Sequence, residues 1–201
     1  LNYYGNSIDG IILSHIHIDH SNDLNVFVEY MTEGGSNKSG TLLLPKQALE
    51  DRILYPYLKD FPKKVELLKE KRKYKLGNIE ITTSVSHRHG VENYGFVLKT
   101  QKHRIGLVTD TVYFPELLDS YKDCDTLIIN VPYCKQDKAI PKHLDVSNVE
   151  EFIKNNHPVK VILTHFNCNI LDKNPENIAK YLTEKYNIEV IAAFDDMILE
   201  L

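Results

Sequence analysis

The chain lacks a disulfide framework. Its three cysteines, Cys124, Cys134 and Cys168, are an odd number without C-x-x-C spacing, which excludes a stapled secreted scaffold and points to a reducing, cytoplasmic setting. Each reads as a small buried hydrophobe. No apolar run reaches the length of a membrane span and no basic-then-apolar leader opens the sequence, so no membrane partner is expected. A strong charge excess is missing too: a net charge of -4 is not that of a dedicated nucleic-acid surface. The densest basic stretch, 59–75, includes Glu66 and Glu70 and reads as a solvated face rather than a phosphate track. Linkers, low-complexity tracts and short-period repeats are absent.

What is present is 201 residues, 42% of them hydrophobic, enough for one well-buried core and read as a single domain over 1–201. Short apolar runs predict strands at 11–14, 41–44 and 79–85, and a hairpin at 94–100 and 104–109. Helical spacing of Leu24, Phe27, Val28 and Met31 predicts a helix over 22–31, and a short one follows at 47–54. In the second half, helices at 115–121, 148–155 and 175–186 alternate with strands at 126–131, 159–164 and 190–193. Strand and helix alternation of this kind is α/β layering, with helices outside the sheets.

One stretch concentrates the chemistry. His15-Ile16-His17-Ile18-Asp19-His20 follows the apolar run Ile11-Ile12-Leu13. Residues two apart in extended chain share a face, so His15, His17 and Asp19 point one way, and His20 joins as the chain turns into a helix. Imidazole and carboxylate together suit zinc and similar divalent ions. Four ligands this close cannot all serve one tetrahedral ion, which calls for two metals. A pattern recurs further on: Leu13-Ser14-His15, Val85-Ser86-His87, Val108-Thr109-Asp110 and Leu163-Thr164-His165 each end an apolar strand in a hydroxyl residue and a candidate ligand. Functional residues gather at strand ends in layered α/β folds.

With these motifs in this order, a later His before Tyr94-Gly95-Phe96, and a closing Ala192-Ala193-Phe194-Asp195-Asp196-Met197, the chain resembles the metallo-β-lactamase fold superfamily of metal-dependent hydrolases. The resemblance implies a four-layer αββα sandwich with the metals at one edge. It implies that His15, His17 and His89 hold one metal, that Asp19, His20 and His165 hold the other, and that Asp110 bridges them. The metals would be two divalent ions, zinc foremost, with iron or manganese as alternatives. Family members carry several strands before the first motif, whereas fourteen residues precede His15, so N-terminal strands are expected to be lacking. His87 competes with His89 for the metal; the family's spacing to the Tyr-Gly pair selects His89 and leaves His87 a supporting or surface role. His103 and His157 read as solvated, and Asp195 and Asp196 as ligand-orienting or loop-capping.

The chemistry so implied is hydrolysis by a bridging water whose pKa two dications lower, balanced by Asp19 and Asp110. Asp110 sets the chain apart from true β-lactamases, and His17 from the flavodiiron oxidoreductases. The stretch His143-Leu144-Asp145 resembles the place where the phosphodiesterase branch, tRNA 3′-end nucleases included, keeps a His near the leaving group; His143 is the candidate proton donor or phosphate contact. Those nucleases carry Glu where this chain has Asn130, and no tRNA-gripping arm is visible. The leading expectation is therefore a phosphodiesterase acting on a small or cyclic phosphodiester, or on RNA. An acyl hydrolase of a lactone or thioester would share every ligand, the discriminator being the pocket around His143 and Lys142. A non-catalytic, metal-dependent sensing module is the third reading, and a homodimer is left open.

Overall fold

In the computed structural model, residues 8–135 and 143–200 are described; Lys142 lies outside them. Two β-sheets stack face to face, and each carries helices on its outer side. The first sheet is built around β2 (Thr41–Leu44), which lies between β1 (Gly10–Ile12) and β3 (Lys64–Leu67), all parallel. Its Leu42-Leu43-Leu44 run shows why it is central, because a strand covered on both faces has no polar side to show. Leu42 and Leu44 pack outward with Leu24 and Val28 of α2 (Leu24–Met31), Ala48 of α3 (Lys46–Glu50) and Leu58 of a 3-10 turn at Pro56–Asp60. Leu43, between them, points the opposite way onto Tyr74, Ile81, Tyr94 and Phe96 of the second sheet. The pleat's period of two thus supplies both the outer and the middle core from one strand.

The second sheet begins as a meander of β4 (Lys73–Leu76), β5 (Ile79–Ser86), β6 (Tyr94–Lys99) and β7 (Arg104–Val108), each antiparallel to the last. It continues in parallel through β8 (Thr126–Asn130), β9 (Lys160–Thr164) and β10 (Glu189–Ala192), giving the order β10-β9-β8-β7-β6-β5-β4. Parallel neighbours need crossovers. These hold α4 (Pro115–Ser120), α5 (Val146–Asn156) and, after a short α6 (Cys168–Leu171), α7 (Pro175–Tyr186). Leu117, Phe152, Ile153 and Leu182 bring these helices onto Val97, Leu127, Ile129 and Val161 of the sheet. Proline opens α4 and α7, where its missing N–H costs nothing. A reciprocal pair of bonds between Asp145 and Asn148 caps α5. His157 and Asn187 close α5 and α7 in the left-handed conformation, so His157 is a helix terminator. Three cores between four layers make this the αββα sandwich that the sequence implies, and no helix among the described residues is long and apolar enough to cross a membrane.

Two strands lie where the sequence pattern predicts none. Lys64-Val65-Glu66-Leu67 and Lys73-Tyr74-Lys75-Leu76 form β3 and β4, inside the stretch read as a solvated basic face. Both descriptions hold, because the charges stand outward while Val65, Leu67, Tyr74 and Leu76 turn to the cores.

A β-bulge sits at the end of β5. Thr83 lies opposite Phe96 but Ser86 lies opposite Tyr94, so three steps on one strand match two on the other. The extra residue reverses which face the chain presents. Ile81 packs between the sheets, whereas Val85 joins the helix-side core, and His87 follows it inward. Gly95 makes room for this. A Cβ there would collide with the Tyr121 hydroxyl, with the Leu107 carbonyl oxygen at 2.6 Å and with the His87 ring at 2.8 Å. Gly95→Ala is expected to destabilise the fold by about 2–3 kcal/mol, the scale of overpacking a closed core, read as a lowered urea midpoint with an unchanged slope.

Candidate metal centre

The candidate ligands lie at the C-terminal ends of strands from both sheets. The chain leaves β1 through Leu13 and Ser14 to His15, and His17 then begins α1 (Ile18–Ser21), which carries Asp19 and His20. His89 lies on the loop after β5, Asp110 follows β7, and His165 follows β9. His165 takes a positive φ of 62°, a conformation that a non-glycine residue holds only when its surroundings enforce it. His143 precedes the cap of α5.

All eight side chains converge. The ligand atoms of His15, His17 and His89 lie within 4.8 Å of one another, as do those of Asp19, His20, Asp110 and His165, and those of His89, Asp110 and His143. Asp110 is the centre. Its Oδ2 stands 3.4 Å from His20 Nε2, 3.5 Å from both His89 Nε2 and His165 Nε2, 3.7 Å from His143 Nδ1 and 3.9 Å from His15 Nε2. His17 Nδ1 faces His89 Nε2 at 3.0 Å, His20 Nε2 faces His165 Nε2 at 3.1 Å, and Asp19 Oδ2 lies 3.2 Å from His165 Nε2.

This arrangement fits metal ions. Ligand atoms ~2.0–2.1 Å from a zinc ion at tetrahedral angles stand about 3.3 Å apart, near the spacings within each group. His15 supplies the sharper test. Its Nδ1 pairs with Ser14 Oγ at 3.0 Å, while its Nε2 is fully buried without a hydrogen-bond partner, an arrangement that costs free energy unless something else engages that nitrogen. Burial, and then the neighbouring His20, push His15 down to about 3, so its ring is neutral and its lone pair available. Burial also lowers His143, to about 4, with His89 and His165 acting in the same direction against Asp110. For Asp110 burial works the other way, but hydrogen bonds from His20 and Asn130 hold its carboxyl well below the usual carboxylate range. His20 is raised: burial opposes its charge, and Asp110 and Asp19 outweigh that.

Behind the cluster, structural partners fix each remaining acceptor of Asp110. Asn130 Nδ2 donates to Oδ1 at 2.7 Å, and Asn93 Nδ2 donates to the backbone oxygen at 2.5 Å. His87 is part of this backing, not of the cluster. Its Nδ1 donates toward the Thr109 hydroxyl at 3.0 Å and the Asp110 carbonyl at 3.3 Å, and its Nε2 accepts from the Tyr121 hydroxyl at 3.0 Å. It is buried, with its pKa pushed by that burial to about 3, so of the two roles left to it the supporting one stands and the surface one does not. β5 ends at Ser86, so the chain between His87 and His89 is no longer extended strand and the two imidazoles do not share a face. Asp195 and Asp196 are exposed and hydrogen-bond to no ligand histidine among the described residues.

The model of the beta-lactamase superfamily domain matches residues 4–166. The chain belongs to that superfamily. An uncharacterized protein of Methanocaldococcus jannaschii is 28% identical over 192 residues, covering 92% of this chain and 71% of its own. Among solved structures, the metallo-β-lactamase fold protein YhfI from Bacillus subtilis superposes with a TM-score of 0.78 at 21% identity, over 94% of this chain and 76% of that one. A diphosphatase from the PhnP family gives a TM-score of 0.69 at 17% identity, over 96% and 71% of the two chains. Unliganded yeast PDE1 gives 0.69 at 16% identity, over 93% and 67%. These likenesses establish the metallo-β-lactamase fold. Within it, Asn130 is the residue whose part the sequence hid: it drew notice only for not being Glu, yet β8 runs parallel beside β7 and delivers it to the Asp110 carboxylate.

Asn130→Ala is expected to weaken metal binding roughly 10- to 100-fold, the usual cost of losing a group that orients a ligand, and to cost about 1–3 kcal/mol of stability through the buried Asp110 oxygen left without its donor. Asn130→Asp should be worse, because it sets a second carboxylate against Asp110. Competition against a chromogenic chelator measures both.

Proposed function

We propose that this member of the superfamily is a binuclear, metal-dependent hydrolase of phosphodiesters. His15, His17 and His89 would hold one divalent ion, and Asp19, His20 and His165 the other, with Asp110 between them and zinc the preferred metal. Bound there, the ions would supply Lewis acidity and a water acidified toward neutrality. The observation that carries the choice of substrate is the lining of the cavity at the cluster. It measures about 530 Å³, and its described walls are His17, Asp19, Arg88, His89, Gly90, Asp110, His143 and His165. No apolar side chain is among them. An acyl chain needs apolar walls, whereas a charged ester needs convergent polar groups. The fold shared with a PhnP-family diphosphatase and with yeast PDE1 supports the same reading.

His143 also lines a neighbouring cavity of mixed character, with Val112, Tyr113, Val146 and Tyr181 beside Lys135 and Glu150, and so stands between the reacting centre and the space a leaving group would occupy. There it would contact a phosphoryl or leaving oxygen. The more apolar walls of this second cavity are what favours the alternative, an acyl hydrolase of a lactone or thioester.

Elemental analysis is expected to find about two metals per chain, as a two-metal site requires. Hydrolysis of bis(p-nitrophenyl) phosphate should vanish on chelation and return with zinc, while lactones and thioesters are not turned over. Less than one metal per chain, or activity on the acyl esters alone, would sink this reading. His143→Ala is expected to lower kcat on the same phosphodiester roughly 100-fold while retaining the metals; loss of metal would instead make His143 a ligand.

A further inference from the structure

We infer that Arg88 is the residue that selects an anionic substrate, by receiving a phosphoryl oxygen at the mouth of the metal cavity; this rests on the phosphodiesterase reading and names a specificity residue for it. Among the described residues lining that cavity, Arg88 is the one side chain with a permanent positive charge. The others are imidazoles, two carboxylates and Gly90, a set that suits metals and leaves an incoming anion no direct cationic partner of the protein's own.

Arg88 is well placed for this. Its backbone N–H donates to Thr111 Oγ1 at 3.1 Å and its carbonyl accepts from Val112 N at 3.2 Å. Those two bonds clamp it against the segment that follows Asp110, so the residue keeps a fixed position relative to the centre. The guanidinium carbon rests 4.0 Å from the centroid of the Phe114 ring. Phe114 is buried at 4% exposure, which makes it a firm platform, and stacking on an aromatic face leaves the edge N–H groups of a guanidinium free to donate. Next along the chain, Gly90 has a φ of +81° and nothing within 4 Å of where a Cβ would be. The rim of the cavity at Gly90, two residues from Arg88, is therefore open to an approaching ligand.

The competing use of Arg88 is weak. Its carboxylate partner is Glu116 at 3.8 Å, and the two side chains are 61% and 66% exposed. Such a pair holds little free energy in water, too little to account for a guanidinium kept at the rim of a metal cavity. A planar fork of N–H donors matches two oxygens of a phosphoryl group as a lysine ammonium does not. A neutral ester gains nothing from it.

The test compares Arg88→Gln, which keeps a stem over Phe114 without charge, Arg88→Lys, which keeps charge without the fork, and Arg88→Ala, all in metal-loaded protein. On bis(p-nitrophenyl) phosphate, KM is expected to rise at least tenfold in Arg88→Gln and Arg88→Ala and less in Arg88→Lys. Neutral p-nitrophenyl acetate, where it is hydrolysed, should be unaffected within twofold. Metal content and melting temperature should match the parent chain. Binding of inorganic phosphate by calorimetry gives a second readout that does not need turnover, with affinity falling about tenfold in Arg88→Gln. An unchanged KM and unchanged phosphate affinity would overturn the assignment of Arg88 while leaving the phosphodiesterase reading intact. Absence of phosphodiesterase activity in the parent chain would remove that reading, and the phosphate titration would still decide whether Arg88 is an anion site. An Arg88→Ala chain that loses stability while Arg88→Gln restores both stability and KM would make Arg88 a structural link to α4 and overturn the inference.

Discussion

The carboxylate of Asp110 is where the two halves of this structure meet. One oxygen belongs to the scaffold, held by Asn130 from the neighbouring parallel strand, and the other faces nitrogen atoms of five histidines drawn from distant parts of the chain. Six imidazoles and two carboxylates within so small a space would repel or desolvate one another without a counter-charge. The rest of the molecule reads as what is required to hold them there: two stacked sheets, helices that seal each outer face, and buried polar groups such as His87, Asn93 and Thr109, whose bonds end on Asp110 or its neighbours. Function is concentrated at one edge because the strands that supply the ligands end there together.

Much of this was legible in the sequence, for a physical reason. A strand buried on both faces must be apolar throughout, so Leu42-Leu43-Leu44 and Val161-Ile162-Leu163 announce themselves, and the residues just after such runs are the first free to be polar. That is how His15, Asp110 and His165 could be picked out. What stayed hidden depended on neighbours that only the fold brings together. Charged residues at every second position of β3 and β4, Lys64 and Glu66 in one and Lys73 and Lys75 in the other, outweighed the apolar residues between them, although this alternation is a period of two. Asn130 looked like an ordinary strand-end amide until β8 was laid beside β7. His87 looked equivalent to His89 because the two are separated by one residue, and counting residues assumes an unbroken strand.

Arg88 illustrates the same limit from the side of specificity. In sequence it lies between two histidines and attracts no notice of its own. In the fold it is the cationic contribution of the protein to a cavity otherwise furnished for metals, and the ring it rests on comes from Phe114, at the start of α4. The groups that would do chemistry and the group that would choose the substrate are thus consecutive along the chain, but they are supported by different layers of the structure.

The bulge between Thr83 and Ser86 gives this domain a phase. Because one added residue inverts the faces of everything downstream, the number of residues from Ile81 to His89 is constrained by parity as well as by length. A single insertion or deletion there would turn a buried imidazole toward solvent and draw His89 away from the centre in one event. The turn between β6 and β7, which joins Lys99 to Arg104 with Gln101 and Lys102 exposed at its tip, carries no such phase. Tolerance of length change is accordingly uneven: a loop far from the bulge can lengthen without moving the site, whereas the nine residues from Ile81 to His89 can be substituted but not added to without turning His87 and His89.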